Sequence, residues 1–345
     1  VNAPAAFAIP GDIATLTGGF IYERRLLESL RAIGHDVLHL PLPASFPEPA
    51  PAEMAEAVAT LVALDPARPL ILDGLVFGAI DTRGLSRVRA PIVAMIHHPL
   101  ALESGLTDAR RDHLFRTERD NLRLAAHVFV PSPHTRTILT DRYGADPARI
   151  TVIRPGVDPP SGPAQPVTPP LILSVGILHP RKGHDTLIAA LDRIRHLGWT
   201  ATIVGTPWDA AHAADIARML RDLELGDRLH LAGRVDNAEL HSLYRSATLF
   251  ALATRYEGYG IVFDEAMSYG LPIVSCHTGA VPDTVPPGAG LLVPPDDPEA
   301  FAGALSRLLQ DGALRHSLSQ GAPRDLPDWI TQARIAGAVL ERLAP

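Results

Sequence analysis

The sequence predicts an α/β protein made of two doubly wound domains in tandem, and three observations carry that expectation. Short apolar, β-rich runs alternate with helix-length amphipathic segments through most of the chain, the pattern of parallel sheets covered by helices. The alternation stops once, at a proline-rich tract, and then restarts. At 345 residues the chain also exceeds what one ordinary hydrophobic core supports.

In the first half, strands are expected near Phe7 to Ile9, Val37 to Leu40, Leu70 to Asp73, Ile92 to Ile96, Val128 to Val130 and Ile150 to Ile153, with helices between them. Leu26, Leu27, Leu30 and Ile33 recur at helical spacing and Gly34 supplies a stop, which defines the first helix. Ser132-Pro133 reads as a cap followed by proline at the first helical position. The tract after Asp158 holds six prolines between Pro159 and Pro170 and no apolar periodicity, so it reads as a stiff, exposed linker. Beyond it, strands are expected at Leu171 to Val175, Ala201 to Val204, Leu229 to Leu231, Leu249 to Leu252 and Ile273 to Cys276. Helices are expected from about His184, over Ala210 to Leu223 and over Ile261 to Tyr269. The resulting division is a first domain over 1–158, a linker over 159–170, a second domain over 171–320 and a C-terminal helical segment over 321–345 that packs back on the first domain.

Composition removes several function classes. A net charge of −7 and a pI near 6.1 do not suit a phosphate-backbone binder, so no nucleic-acid partner is expected. Apolar runs such as PIVAMI fall far short of the roughly 20 residues that span a bilayer. The opening stretch VNAPAAFAIPGD has neither a basic nor an extended apolar region, so no export signal is expected. The single cysteine, Cys276, sits in an apolar run and fits a reducing compartment, and the location expected is cytoplasmic. The helix from Asp108 to Ala126 mixes five arginines with four acids, which favours a solvated, ion-paired face over peripheral membrane contact.

Of the 31 Lys and Arg residues, 30 are arginine, and the only lysine is Lys182. A lysine kept against that drift points to a place where a compact ammonium is needed and a planar guanidinium does not substitute. It lies in Ser174-Val-Gly176-Ile-Leu-His-Pro-Arg181-Lys182-Gly183, where a strand ends and two adjacent cations lead into a helix, a position suited to a diphosphate. A second candidate is Arg255-Tyr-Glu257-Gly258-Tyr259-Gly260-Ile261-Val-Phe-Asp264-Glu265. Its glycines permit close backbone approach, the helix after Gly260 offers N–H groups to an anion, and Glu257 and Glu265 can border one ligand. Helix-dipole compensation accounts for Asp264 and Glu265 in the bland reading, but not for Glu257, which precedes the helix. Gly18 and Gly19 follow the first strand and suit close approach of a substrate, without forming a dinucleotide fingerprint. His97 and His98 follow PIVAMI at a strand's carboxyl end, where His97 is a candidate substrate contact. No third ligand at metal-binding spacing accompanies them, so no metal and no cofactor is expected.

These residues resemble the retaining family-4 glycosyltransferases of the GT-B fold over nearly the whole chain. The most specific match is Glu257-x7-Glu265 within EGYGIVFDEAMSYGLPIVSC, followed by GAVPD ending at Asp283. VG…PRKG, GRVDNAELHSLY, VPSPHT and VIRPGVD support it. The resemblance implies two Rossmann-like domains facing each other across a cleft and transfer of a sugar from a nucleotide diphosphate sugar to an acceptor hydroxyl of a glycan, glycolipid or small molecule. It implies that Lys182 neutralises the leaving diphosphate and that backbone around Gly260 and Ile261 touches it. Glu257 meets sugar hydroxyls, Glu265 holds the ribose and His97 lies near the donor sugar. Lys182, Glu257 and His97 are thus the catalytic candidates. Gly18, Gly19, Gly176, Arg181, Gly258 and Tyr259 complete the donor set. The chain departs from the family at Ile177, where arginine is usual, and at Asp283, where glutamate is usual. A sugar-nucleotide epimerase, a phosphorylase or a non-catalytic two-domain sugar-binding protein are the competing readings.

Overall fold

The structure, a computed structural model, describes residues 4–344 apart from 16, 104 and 324. The chain forms two compact units, one made of 1–156 with 327–345 and the other of 157–326. Each holds one six-stranded, wholly parallel sheet.

In the first unit the strands are β1 (Ala5–Pro10), β2 (Val37–Leu42), β3 (Leu70–Asp73), β4 (Ile92–Met95), β5 (His127–Val130) and β6 (Ile150–Val152), in the spatial order β2-β1-β3-β4-β5-β6. The order reverses between β1 and β3, and an open sheet has its crevice outside the carboxyl ends of the strands at such a point. β1, β3 and β4 are buried along their whole length, as strands covered on both faces must be. The helix Gly18–Ala32 buries Leu26, Leu27 and Leu30, and the chain turns away at Gly34 with φ of +97°. Gly18 and Gly19 therefore form the first turn of that helix; the loop ends at Thr17. Ser132 caps the helix Pro133–Tyr143 by accepting from the Thr135 N–H, as its sequence signature predicts.

The C-terminal helix Trp329–Leu343 belongs to this unit and packs on Gly18–Ala32. Its first residue is the anchor: the Trp329 ring lies 6.0 Å from Tyr22, with the Arg25 guanidinium 5.4 Å from its centre. The Gln332 side chain accepts from the Arg154 N–H at 2.8 Å.

In the second unit β7 (Leu171–Val175), β8 (Thr200–Val204), β9 (Leu229–Gly233), β10 (Leu249–Leu252), β11 (Ile273–Cys276) and β12 (Gly290–Val293) take the order β12-β11-β10-β7-β8-β9. Alternate side chains feed separate cores on the two faces: Leu249 and Ala251 of β10 enter one, Phe250 and Leu252 the other. Here the order reverses between β7 and β10. The edge strand β12 and the helix Pro298–Gln310 have no counterpart in the sequence reading, because GLLV is four residues between turn clusters and carries no period of its own. The tract 159–170 is largely exposed but fastened to this unit: the Gln165 and Val167 N–H groups donate to the Arg245 and Ser246 carbonyls at 2.7 and 3.1 Å. No helix among the described residues is long and apolar enough to cross a membrane.

The turn after β7 depends on Gly183, whose φ is +63° and where an added Cβ would stand 1.9 Å from the Ala253 carbonyl oxygen. Neither the backbone angle nor the neighbouring main chain can give cheaply. Gly183→Ala should destabilise the protein by about 1–3 kcal/mol, read as a lowered urea midpoint, with the second unit losing protection from proteolysis first.

Candidate functional site

The reversal between β7 and β10 places two loops side by side, residues 176–183 after β7 and 253–260 after β10. The first loop is drawn onto the second at the Arg181 carbonyl, which accepts from the Arg255 N–H at 2.8 Å and from the Thr254 hydroxyl at 3.0 Å. Arg255 also grips Asp185 with both terminal nitrogens, at 3.0 and 2.8 Å, donates to Asp296 at 2.6 Å and hydrogen-bonds the Pro180 carbonyl. These bonds fix the short helical turn Pro180–Lys182 that presents both cations.

At the centre is Glu257. Its carboxylate receives Lys182 Nζ at 2.6 Å, lies 3.6 Å from the Arg181 guanidinium and has Thr254 Oγ1 at 3.0 Å. The Lys182 and Glu257 side chains are 13% and 6% exposed, so the pair is shielded from solvent. Burial raises the Glu257 pKa, but Lys182, Arg181 and the hydrogen bonds from Lys182 and Thr254 outweigh it and hold the carboxyl below its ordinary value. Burial pulls the Lys182 ammonium below its ordinary range, against the attraction of Glu257. Arg181 also donates to the Tyr256 carbonyl at 3.0 Å.

Gly176 follows β7 beside this pair, and an added Cβ there would stand 3.4 Å from the Lys182 stem. Gly260 has φ of +90° and opens the helix Ile261–Ser268, whose first N–H groups sit at the same end of the sheet. Glu265 lies in the middle of that helix and accepts from the Tyr244 hydroxyl at 2.8 Å. Tyr244 stacks on Tyr269 at 5.3 Å and 8°, and Tyr269 hydrogen-bonds His241 at 2.5 Å. Burial raises the Glu265 carboxyl pKa, with the Tyr244 bond opposing. The Tyr259 ring is buried and its phenol hydrogen-bonds Asp264, so the phenol is turned into the protein and Tyr259 borders the loop with its backbone.

The second unit thus gathers Gly176, Arg181, Lys182, Glu257, Gly258, Tyr259, Gly260, Ile261 and Glu265 around one strand-order reversal. The first unit gathers Gly19 and His97 at its own reversal: a Cβ on Gly19 would stand 3.6 Å from the His97 ring, whereas Gly18 has open space. It also supplies what the sequence reading missed. His97 is joined by Glu23 and Asp73, their side-chain oxygens and its ring nitrogen all within 4.8 Å of one another, a grouping that no local spacing in the sequence announces. Those residues lie 74 and 24 positions away, and only the fold brings them together. A signal for Glu23 existed in the sequence: it precedes Leu26, Leu27 and Leu30 at helical spacing, an acid on an apolar face. His98 instead pairs with Glu103 at 3.0 Å.

Comparison with known proteins follows the same division. The family model described as Glycosyl transferases group 1 matches residues 161–325, and the Glycosyltransferase Family 4 model matches 72–160. The chain belongs to this glycosyltransferase family. A D-inositol 3-phosphate glycosyltransferase of Kineococcus radiotolerans is 33% identical over 218 residues, covering 55% of this chain and 50% of that protein. A glycogen synthase of Mycobacterium tuberculosis is 31% identical over 270 residues, covering 72% of this chain and 62% of its own. The chain spans about half the length of the inositol-phosphate relatives it matches. Among solved structures, sucrose-phosphate synthase from Thermosynechococcus elongatus superposes with a TM-score of 0.83 at 24% identity, over 99% of both chains. Anabaena Alr3699/HepE in complex with UDP and glucose gives 0.78 at 16% identity, over 99% of this chain and 100% of that one. The fold is GT-B.

A buried ion pair broken on one side leaves an uncompensated charge, which typically costs about 3–5 kcal/mol. Lys182→Met should therefore destabilise the protein strongly, and adding Glu257→Gln should recover part of the loss, a coupling read from denaturant unfolding of the two single variants and the double. The stability that Glu257 contributes is complete above the ordinary carboxyl pKa of 4.5 and is lost as pH falls through its depressed folded value, so Glu257→Gln should flatten that acid limb.

Proposed function

We propose that the chain is a retaining glycosyltransferase that moves a sugar from a nucleotide diphosphate sugar to an acceptor hydroxyl, without a bound metal or cofactor. The observation that carries the proposal is the Lys182–Glu257 pair, flanked by Arg181 and the glycine-opened helix at Gly260, at the carboxyl ends of β7 and β10. A cation pair at Glu257, the first N–H groups of the helix opened by Gly260 and a second carboxylate, Glu265, one turn into that helix match a ligand that carries a diphosphate and two sets of sugar hydroxyls. The UDP and UDP-glucose complexes of Anabaena Alr3699/HepE, which shares the fold, support a donor of that class.

In this reading Lys182 and Arg181 meet the diphosphate together with the N–H groups of Gly260 and Ile261. Glu257 accepts from hydroxyls of the transferred sugar, and Glu265 accepts from the ribose. The bond between the anomeric carbon and the diphosphate oxygen breaks while the acceptor oxygen bonds to the same carbon on the same face. The acceptor proton passes to the departing phosphate oxygen. Catalysis is chiefly stabilisation of charge on the leaving diphosphate by groups already in place, plus positioning. The two glutamates bind; they are not the acid and nucleophile of a hydrolase.

Incubation with a panel of nucleotide diphosphate sugars and hydroxyl acceptors, followed by proton NMR of the product's anomeric signal, tests the reading. An altered sugar without acceptor indicates an epimerase, and dependence on inorganic phosphate indicates a phosphorylase. Activity should survive excess chelator; loss that Mg²⁺ or Mn²⁺ restores overturns the metal-free assignment. Calorimetric titration separates the glutamates: Glu265→Gln should weaken nucleoside diphosphate and full donor alike, whereas Glu257→Gln should spare the nucleoside diphosphate and weaken the donor. Unchanged donor affinity and turnover in both variants would remove the assignment.

A further inference from the structure

The first unit contains two buried carboxyl groups that the proposed reaction does not use. Glu23, on the inner face of Gly18–Ala32, is 1% exposed, and Asp73, the last residue of β3, is 4% exposed. Their carboxyl oxygens and the His97 ring nitrogen lie within 4.8 Å of one another. Two adjacent carboxyls in a dry site cannot both ionise, and burial raises the pKa of each. No Lys or Arg is among the groups that act on either one.

The surroundings fix both carboxyls. Asp73 caps the short helix Gly74–Phe77, and its Oδ1 accepts from the Leu75 and Val76 N–H groups at 2.8 and 3.3 Å. On its other side Glu23 Oε1 lies 3.1 Å from Nε2 of His97. Glu23 Oε1 accepts from the ring whichever carboxyl carries a proton, so the order runs from helix N–H groups through two carboxyls to an imidazole. Two further contacts hold His97: Tyr22 meets its ring at 5.3 Å and the Thr135 hydroxyl donates to its carbonyl at 3.3 Å. Gly74 makes the approach possible, since a Cβ there would stand 2.8 Å from the Met95 carbonyl oxygen. The titratable groups facing the ring are Tyr22 and Glu23 from Gly18–Ala32 and Asp73 from β3.

We infer that Glu23 is a positioning residue for His97, its Oε1 accepting from the ring and so fixing the tautomer with hydrogen on Nε2 and leaving Nδ1 as its acceptor. The inference rests on the reading of His97 as a donor-sugar contact. Burial raises the pKa of both carboxyls, that of Glu23 to about 8, and lowers that of His97, so the ring that Glu23 meets is neutral.

An acceptor oxygen has a faithful substitute. In Glu23→Gln the amide oxygen still accepts from His97 at nearly the same volume. Glu23→Met fills similar volume and offers no such bond. Glu23→Gln should keep kcat and donor KM within about twofold of wild type, and Glu23→Met should lose roughly 10-fold or more in kcat/KM, the scale seen when a group that orients a functional histidine is removed. Long-range ¹H–¹⁵N spectra of the imidazoles, with His97 assigned by its absence in His97→Gln, should show the Nε2–H tautomer in wild type and Glu23→Gln and a mixture in Glu23→Met. This readout needs no turnover, so it stands even if the glycosyltransferase reading fails. Glu23→Gln as damaged as Glu23→Met in tautomer and turnover overturns the inference. So does a stoichiometric divalent metal in the purified protein that either variant loses, because it would make Glu23 a metal ligand and not a hydrogen-bond partner of the ring.

Discussion

A carboxylate inside a protein must be met by charge or hydrogen bonds, and around Glu257 that requirement organises the second unit's site. Lys182 and Arg181 come from the loop after β7, whereas Thr254 and Glu257 come from the loop after β10. The interaction therefore joins the two loops at the point where strand order reverses. Arg255 closes the same seam from outside, bound to Asp185, Asp296 and the Pro180 carbonyl, so the cations stand on a rigid turn. A site built this way has its charges oriented before any ligand arrives, which is the condition under which fixed dipoles and ions stabilise a transition state at little reorganisation cost.

The buried acids show how one residue type is tuned three ways. Glu257 has two cations and is held ionised, below its ordinary pKa. Glu265 has the Tyr244 hydroxyl but no cation, and burial wins, raising its pKa. Glu23 lies beside Asp73, and burial raises it to about 8 against that contact. Burial acts in the same direction on all three, and only the cations beside Glu257 reverse it. Tyr244 is itself set by its stack on Tyr269, whose hydroxyl binds His241 and accepts from the Ser161 N–H at 3.1 Å. The start of the proline-rich tract and the Glu265 carboxylate thus belong to one connected network within the second unit.

Arginine usage gives the lone lysine its meaning. Where a fork is wanted, as at Asp185, the chain uses Arg255 with two parallel bonds. Where one short contact to a single carboxylate oxygen is made in a confined space, it keeps Lys182, whose Nζ sits 2.6 Å from Glu257. The division follows from the geometry of a planar guanidinium against a compact ammonium.

The sequence by itself determined the α/β class, eleven of the twelve strands to within about two residues of their ends, and the segments that carry the second unit's site. Those features are local: buried parallel strands are continuous apolar runs, helices announce themselves by period and cap, and Lys182 stands out by composition alone. The strand β12 escaped because four apolar residues between turns carry no period. Tertiary structure alone decided which groups meet. The Lys182–Glu257 contact spans 75 residues and the His97–Glu23 contact 74, and neither spacing has meaning until strand order is known. The Tyr259 phenol, inside a glycine-flanked loop, was fixed in its inward direction only by Asp264 packing beneath it. Glu23 and Asp73 each look ordinary in the chain, one as a helical acid and the other as a cap. Their chemistry arises because a parallel sheet brings the carboxyl ends of β3 and β4 and the first helix to one point, where burial raises the pKa of both acids.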